Sequence, residues 1–292
     1  PSLDKNKVST LSKKVINNLL INDLGFKGLV ITDALDMKAI VDFSKGDYPD
    51  VSALNAGNDL LLMPTDVAKS IKELKKAIQK NKISTKTLEK AVKKNLMAKY
   101  KSGLNNFKPI ETENIVEDLN QDIDYALLDR LAEESMTLVK NHNTNLPISI
   151  SDQKSIGYIN MGDDSYNTFL KYLNKYSKVD HIYQNNKDSL IEIAKNYDKV
   201  IVGLHKSDKS PFGEYKFTEE EISIINDLKK LTDLTLVVFS KPYSIFDVNI
   251  DDIQSILIAY QNSSVFQEKA AQAIFGAINV KGKLPVTINK DI

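Results

Sequence analysis

Cysteine and tryptophan are both missing from the 292 residues. Without cysteine there can be no disulfide, thiolate metal site, iron–sulfur cluster or cysteine nucleophile. Histidine is scarce too. His142, His181 and His205 are the whole set, a poor basis for an all-histidine metal site. An excess of one charge is also lacking, since 39 Lys+Arg balance 39 Asp+Glu. Nothing electrostatic therefore points to nucleic acid or to an anionic membrane. No apolar run approaches the ~20 residues needed to span a bilayer. The Gly-x-Gly-x-x-Gly fingerprint of dinucleotide sites is absent. Gly276 to Lys283 lacks a phosphate loop's spacing, and Leu284 stands where that loop needs Ser or Thr. The opening Pro1-Ser2-Leu3-Asp4 has no initiator Met, charged leader or apolar h-region. It reads as the cut end of a longer chain.

What is present is ordinary globular composition, 42% hydrophobic and 27% charged. At ~150 residues per domain the length suggests two domains, although a single α/β barrel of ~250 residues would also fit. Leu11, Val15, Ile16, Leu19 and Leu20 recur at helical spacing over Thr10 to Asp23, and Gly25 follows where a left-handed residue would end the helix. Leu29–Thr32 and Asp59–Met63 are short apolar runs, as in strands buried on both faces. Helices are predicted over Asp66–Gln79 and Thr85–Tyr100, the second with Ser84 as cap. This alternation is the grammar of a parallel sheet with crossover helices. The Lys-rich run from Lys69 to Lys99 reads as a solvated face of those helices.

Residues 104–120 lack periodicity and read as a linker between units at 1–103 and 121–292. A helix is predicted from Asp122 to Met136. Beyond it, strands are predicted at Ile156–Ile159, Lys199–Leu204, Leu234–Phe239 and Ile256–Ala259. Helices are predicted near Tyr166–Leu173, Ser189–Lys195, Thr218–Lys230 and Ser264–Phe275. The first unit poses a problem, because two strands do not make a stable sheet.

Asp33 sits where the first apolar run ends, and α/β folds place ligands and catalytic groups at such strand ends. A carboxylate there can be a nucleophile, a base or a metal ligand, or it can cap the next helix. Asp36, three residues on, is predicted in that helix's first turn, where the helix dipole favours a negative charge. Of the histidines, His142 lies in an Asn-rich turn and reads as solvated, His181 as a packed or surface residue, and His205 as a structural residue at a strand end.

The stretch Gly25-Phe26-Lys27-Gly28-Leu29-Val30-Ile31-Thr32-Asp33-Ala34-Leu35-Asp36-Met37 resembles the nucleophile segment of glycoside hydrolase family 3, particularly its β-N-acetylglucosaminidase branch. In that family an apolar strand ends in Thr-Asp or Ser-Asp, then a small or polar residue, Leu and a Met. Four further stretches resemble the same family in collinear order. Ala56 to Pro64 resembles its last barrel strand. Glu134 to Asn141 with Leu146-Pro147-Ile148 resembles the entry to its C-terminal domain. Lys241-Pro242-Tyr243 stands where that domain often has Asn-Pro-Tyr. Ala270 to Gly276 with Gly282 to Thr287 resembles its closing segment.

The resemblance implies the end of a (β/α)8 TIM-type barrel followed by an α/β sandwich C-terminal domain. It implies that Asp33 is the catalytic nucleophile of a retaining β-N-acetylhexosaminidase, with Met37 against the substrate. Neither a cofactor nor a metal enters that mechanism. The expected substrates are glycans or muropeptides carrying terminal β-linked N-acetylglucosamine, in bacterial peptidoglycan turnover. Resemblance to two-domain members favours a periplasmic or secreted enzyme. The family's acid/base His, on a loop resembling Lys-His-Phe-Pro-Gly-His-Gly, has no counterpart here, so it is expected upstream of Pro1. The chain alone is accordingly expected to be inactive and to self-associate through unpaired barrel strands. The alternatives are a β-glucosidase-type enzyme and a non-catalytic carbohydrate-binding or scaffold module.

Overall fold

The computed structural model describes residues 2–43, 48–163, 167–184, 186–207, 210 and 212–288. The chain divides into two compact units, Pro1–Thr112 and Glu113–Ile292.

In the first unit a 3-10 turn, Ser9–Leu11, precedes a helix of π type, Lys14–Asp23. Gly25 then takes the left-handed conformation expected of it, with φ of 68°. Four α-helices follow: α1 (Lys38–Phe43), α2 (Pro49–Ala56), α3 (Val67–Gln79) and α4 (Thr85–Lys101). Each of the last three starts or stops on a recognisable signal. Pro49 opens α2, where its missing N–H costs nothing, and Gly57 closes it at φ 115°. Asp66 caps α3 by accepting from Lys69 N–H, and Ser84 caps α4 by accepting from Thr87 N–H. The expected strands at Leu29–Thr32 and Asp59–Met63 do run side by side and parallel, but they meet in a single bridge, Ile31 to Leu60. Among the described residues each has only the other as a neighbour, too little pairing to propagate a ladder. Leu11, Leu35, Ile40 and Ala53 form one small core, and Leu54, Ala77, Ile83 and Ala91 another.

The stretch at 104–120 contains more order than a linker reading suggests. A 3-10 turn covers Leu104–Asn106, and a short helix, α5, covers Ile115–Leu119.

The second unit holds α6 (Asp122–Ser135) and a six-stranded sheet: β1 (Thr137–Asn141), β2 (Ile156–Gly162), β3 (Val179–His181), β4 (Lys199–His205), β5 (Asp233–Phe239) and β6 (Ser255–Ile258). The strand order is β1-β6-β5-β4-β2-β3, with β1 antiparallel to β6 and every other pairing parallel. The crossovers are α7 (Thr168–Leu173), α8 (Lys187–Ala194) and α9 (Glu219–Leu228), and α10 (Ser264–Ile274) follows the last strand. Tyr166, the expected start of α7, lies outside the described residues.

Alternation along each strand divides the core between the two faces. On one face Tyr158, Ile201, Val237 and Leu257 pack with Phe169 and Leu173 of α7 and Phe266 and Ala270 of α10. On the other, Val200, Val202, Leu236 and Ile256 pack with Leu190 of α8 and Ile225 and Leu228 of α9. Helices therefore cover both faces, which is why β4 is buried throughout and reads as an apolar run from Val200 to Leu204. At the strand starts, Asp198 Oδ2 accepts from both N–H and Oγ–H of Ser155. That side-chain hydrogen bond holds the Asp198 carboxyl below its ordinary pKa. At the other end, Asp163 N–H donates to His205 C=O across Gly162, whose φ is 94°. A Cβ there would lie 2.0 Å from that carbonyl oxygen, so only glycine fits.

Two strands escape the sequence pattern. β3 is three residues at a sheet edge, and β1 is a five-residue antiparallel edge strand. No helix of the described residues is long and apolar enough to cross a membrane.

Candidate active site

Asp33 is placed by the way its segment leaves the neighbouring one. At the one bridge, Ile31 to Leu60, the pairing is parallel, and Val30 C=O also accepts from Asp59 N–H at 2.8 Å. Leu60 N–H donates to Val30 C=O, and Thr32 N–H donates to Leu60 C=O at 3.0 Å. Continuation would send Leu62 N–H to Thr32 C=O and Ala34 N–H to Leu62 C=O. Neither bond forms. Leu62 N–H donates instead to the Thr32 side-chain Oγ1 at 2.8 Å. Leu62 C=O accepts from Leu35 N–H, one residue later than the ladder requires, at 3.0 Å. Ala34 N–H, released by the slip, donates to Asp33 Oδ1 at 2.8 Å. The result is one extra residue in the first segment, the signature of a bulge.

The slip is anchored on both sides. Thr32 is 4% exposed and Leu35 is 1% exposed, the latter packed with Leu11, Ile40 and Ala53. Asp33, between them, is exposed. Its carboxylate is thus attached to a fixed backbone, with one oxygen held by its own turn and the group open to solvent.

Capping of the next helix does not account for Asp33. α1 begins at Lys38, five residues on, and the carboxylate is bonded to Ala34. Asp36 also departs from expectation, since it precedes α1 by two residues and lies outside its first turn. It is exposed, and the dipole effect fades beyond the first turn. Asp36→Asn should therefore change stability by no more than about 0.3 kcal/mol. Thermal melts of the variant check this. Met37 lies in the same turn: its N–H donates to Ala34 C=O at 3.4 Å, and its side chain is 47% exposed. Asp33, Asp36 and Met37 thus share one exposed turn.

In the sequence Asp59 is only the first residue of an apolar run. The structure gives it a larger part. Its Oδ2 accepts from Val30 N–H at 2.9 Å and from Lys94 Nζ at 2.7 Å, and Lys94 Nζ also donates to Gly28 C=O. Asn95 Nδ2 donates to Asp59 C=O and ties α4 to the same point. Beside it Asn58, 2% exposed, donates to the carbonyls of Thr10 and Ala53. These groups hold the start of the segment whose end carries Asp33. An Asn-Asp pair ahead of an apolar run was the available signal.

The histidines stand apart from this turn in the chain, and each belongs to the second unit. His205 is fully buried, with Nδ1 donating to Asn262 Oδ1 at 2.7 Å, Tyr158 Oη 2.8 Å from Nε2, and its ring stacked on Phe239. That is a core histidine. His181 ends β3, exposed and stacked beside Tyr158, and His142 is exposed in a 3-10 turn.

Residues 1–97 match the Glycosyl hydrolase family 3 N terminal domain, and residues 136–292 match the Glycosyl hydrolase family 3 C-terminal domain. A β-xylosidase of Formosa agariphila is 26% identical over 95% of this chain and 45% of its own length. Beta-hexosaminidase A of Pseudoalteromonas piscicida is 30% identical over 36% of this chain and 20% of its own. Among solved structures, a family 3 β-N-acetylglucosaminidase from Paenibacillus sp. superposes over 99% of this chain and 56% of its own with a TM-score of 0.72 at 22% identity. The chain spans less than half the length of the two relatives named. It belongs to glycosyl hydrolase family 3.

Proposed function

We propose that this chain supplies the nucleophile of a retaining glycosidase that removes terminal β-linked N-acetylglucosamine, and that Asp33 is that nucleophile. The observation carrying the reading is the slipped turn. It presents an exposed aspartate at the end of a parallel segment, with Oδ1 engaged by Ala34 N–H. Oδ2 is the oxygen assigned to attack. In the first step it bonds to the anomeric carbon while the glycosidic C–O bond breaks and a general acid protonates the leaving oxygen. In the second, water adds to the anomeric carbon, the ester C–O bond breaks, and the proton passes to the conjugate base. An aspartate suits the first step because its ordinary pKa of ~3.9 leaves it ionised at neutral pH.

The substrate assignment rests on the resemblance of residues 25–37 to the N-acetylglucosaminidase branch. A second reading, a β-glucosidase-type enzyme acting on neutral glycosides, is favoured by the β-xylosidase relative, matched over far more of the chain than the hexosaminidase. Assay of the full-length gene product on 4-nitrophenyl N-acetyl-β-glucosaminide, β-glucoside and β-xyloside separates the two. A preference for the glucoside or xyloside sinks the N-acetylglucosamine assignment. Treatment with a fluorinated N-acetylglucosaminyl fluoride should label the peptide containing Asp33, at Asp33. Label on Asp36 would overturn the assignment of the nucleophile.

Met37, exposed in the same turn as Asp33, is assigned to the apolar edge of the bound sugar. Met37→Ala should raise KM roughly fivefold, equivalent to about 1 kcal/mol of uniform binding, with kcat within twofold. A loss in kcat alone would remove Met37 from the binding surface.

A further inference from the structure

We infer that Thr32 is a positioning residue for the nucleophile: its side-chain hydroxyl replaces its own carbonyl as the ladder acceptor and so creates the turn that presents Asp33. This rests on the assignment of Asp33 in the preceding subsection. In a regular parallel pair Leu62 N–H would find Thr32 C=O, and the first segment would stay in the sheet through Ala34. The hydroxyl intercepts that donor at 2.8 Å. With Leu62 N–H satisfied by a side chain, the Thr32 carbonyl is released from the ladder and the backbone can turn at Asp33. The same slip shifts the Leu62 carbonyl onto Leu35 N–H and frees Ala34 N–H for Asp33 Oδ1.

The consequence is a chain of dependence from one buried oxygen to the reacting carboxylate. Both polar groups of the Leu62 peptide are engaged by the turn, one by Thr32 and one by Leu35. Thr32 itself is 4% exposed, so its hydroxyl is fixed in place against the Leu62 N–H. Removing the hydroxyl takes away the side-chain acceptor of Leu62 N–H and favours its return to the Thr32 carbonyl, the acceptor that parallel pairing would use. That return draws Ala34 N–H away from Asp33 Oδ1 and rotates the carboxylate. Displacement of a reacting group by about 1 Å can cost roughly 100-fold in rate while substrate binding elsewhere is kept.

Serine keeps the hydroxyl, valine keeps the shape without it, and cysteine offers a weaker and longer acceptor. In the full-length gene product, Thr32→Val should lower kcat roughly 100-fold with KM within threefold, and slow labelling of Asp33 by the fluorinated fluoride to the same degree. Thr32→Cys should lie between, about tenfold down, and Thr32→Ser should stay within threefold of the parent. Circular dichroism and melting temperature establish that each variant folds. If Thr32→Val does not fold, the Ser and Cys pair decides. A folded Thr32→Val enzyme with unchanged kcat and labelling rate overturns the inference, as does equal activity of the Ser and Cys variants should Val be lost. These outcomes are separate from failure of the Asp33 assignment, which shows in the parent enzyme as label on another carboxylate.

Discussion

Asp33→Asn is expected to abolish turnover, with kcat at least about 1,000-fold down and the fold intact. The amide keeps the size of the carboxylate, and its oxygen can still accept from Ala34 N–H, the bond that holds the side chain in its turn. What it loses is the charge and the electron pair that form the glycosyl ester. Stability should hardly change, since the residue is exposed and neither contributes to a core nor caps α1. Asp33→Ala sharpens the test. With the nucleophile gone and an activated substrate present, azide can enter on the vacated face, displace the leaving group and restore turnover. The product should then be a glycosyl azide of inverted configuration, identified by its anomeric proton in NMR. An acid/base residue lost at this position would instead leave the glycosyl-enzyme to be opened by azide, giving a glycosyl azide of retained configuration. Normal turnover by the Asn variant, or an Asp36→Asn variant as inactive as it, would show that the carboxylates have been assigned the wrong way round.

The two units differ in how far their sequences disclose them. In the second, β4 and β5 are buried on both faces, so Val200–Leu204 and Leu236–Phe239 are unbroken apolar runs that stand out against polar neighbours. The edge strands β1 and β3 carry Lys140 and Asp180 within a few residues, and short polar-interrupted segments give no period to detect. In the first unit the composition of 29–32 and 59–63 is that of strands, yet only one bridge forms, because among the described residues neither segment has a further strand neighbour, the shortage that a count of two strands already signals. The place of Asp33 at the end of an apolar run is visible in the residues themselves. The slip that aims it is not. Thr32 has the same composition whether its carbonyl or its hydroxyl meets Leu62 N–H, and the choice is made by a residue 30 positions away. Asp59 and Lys94 are likewise 35 positions apart, so neither advertises the other.

That last pair should dominate the stability of the first unit. Asp59 is 6% and Lys94 20% exposed at the side chain, so their charges are largely withdrawn from water. Losing one member of such a pair leaves the other buried and unpaired, typically at about 3–5 kcal/mol. Lys94→Met should cost about 3 kcal/mol, toward the lower limit because Asp59 still accepts from Val30 N–H. Asp59→Ala should cost at least as much. It removes the acceptor of both Lys94 and Val30, while the Lys94 ammonium keeps only the Gly28 carbonyl. The double variant should cost less than the two singles added together, by 1 kcal/mol or more, because the second substitution no longer strands a charge. Hydrogen exchange at the amides of Val30, Thr32 and Leu60 reads this directly, for all three donate across or beside the parallel bridge. Their protection should fall by about 100-fold in either single variant, the equivalent of some 3 kcal/mol, while amides in β4 and β5 keep theirs. Unchanged protection in Lys94→Met would mean that the ion pair is incidental and that Asn58 and Asn95 hold the segment by themselves. A fall extending to β4 and β5 would mean that the two units unfold together.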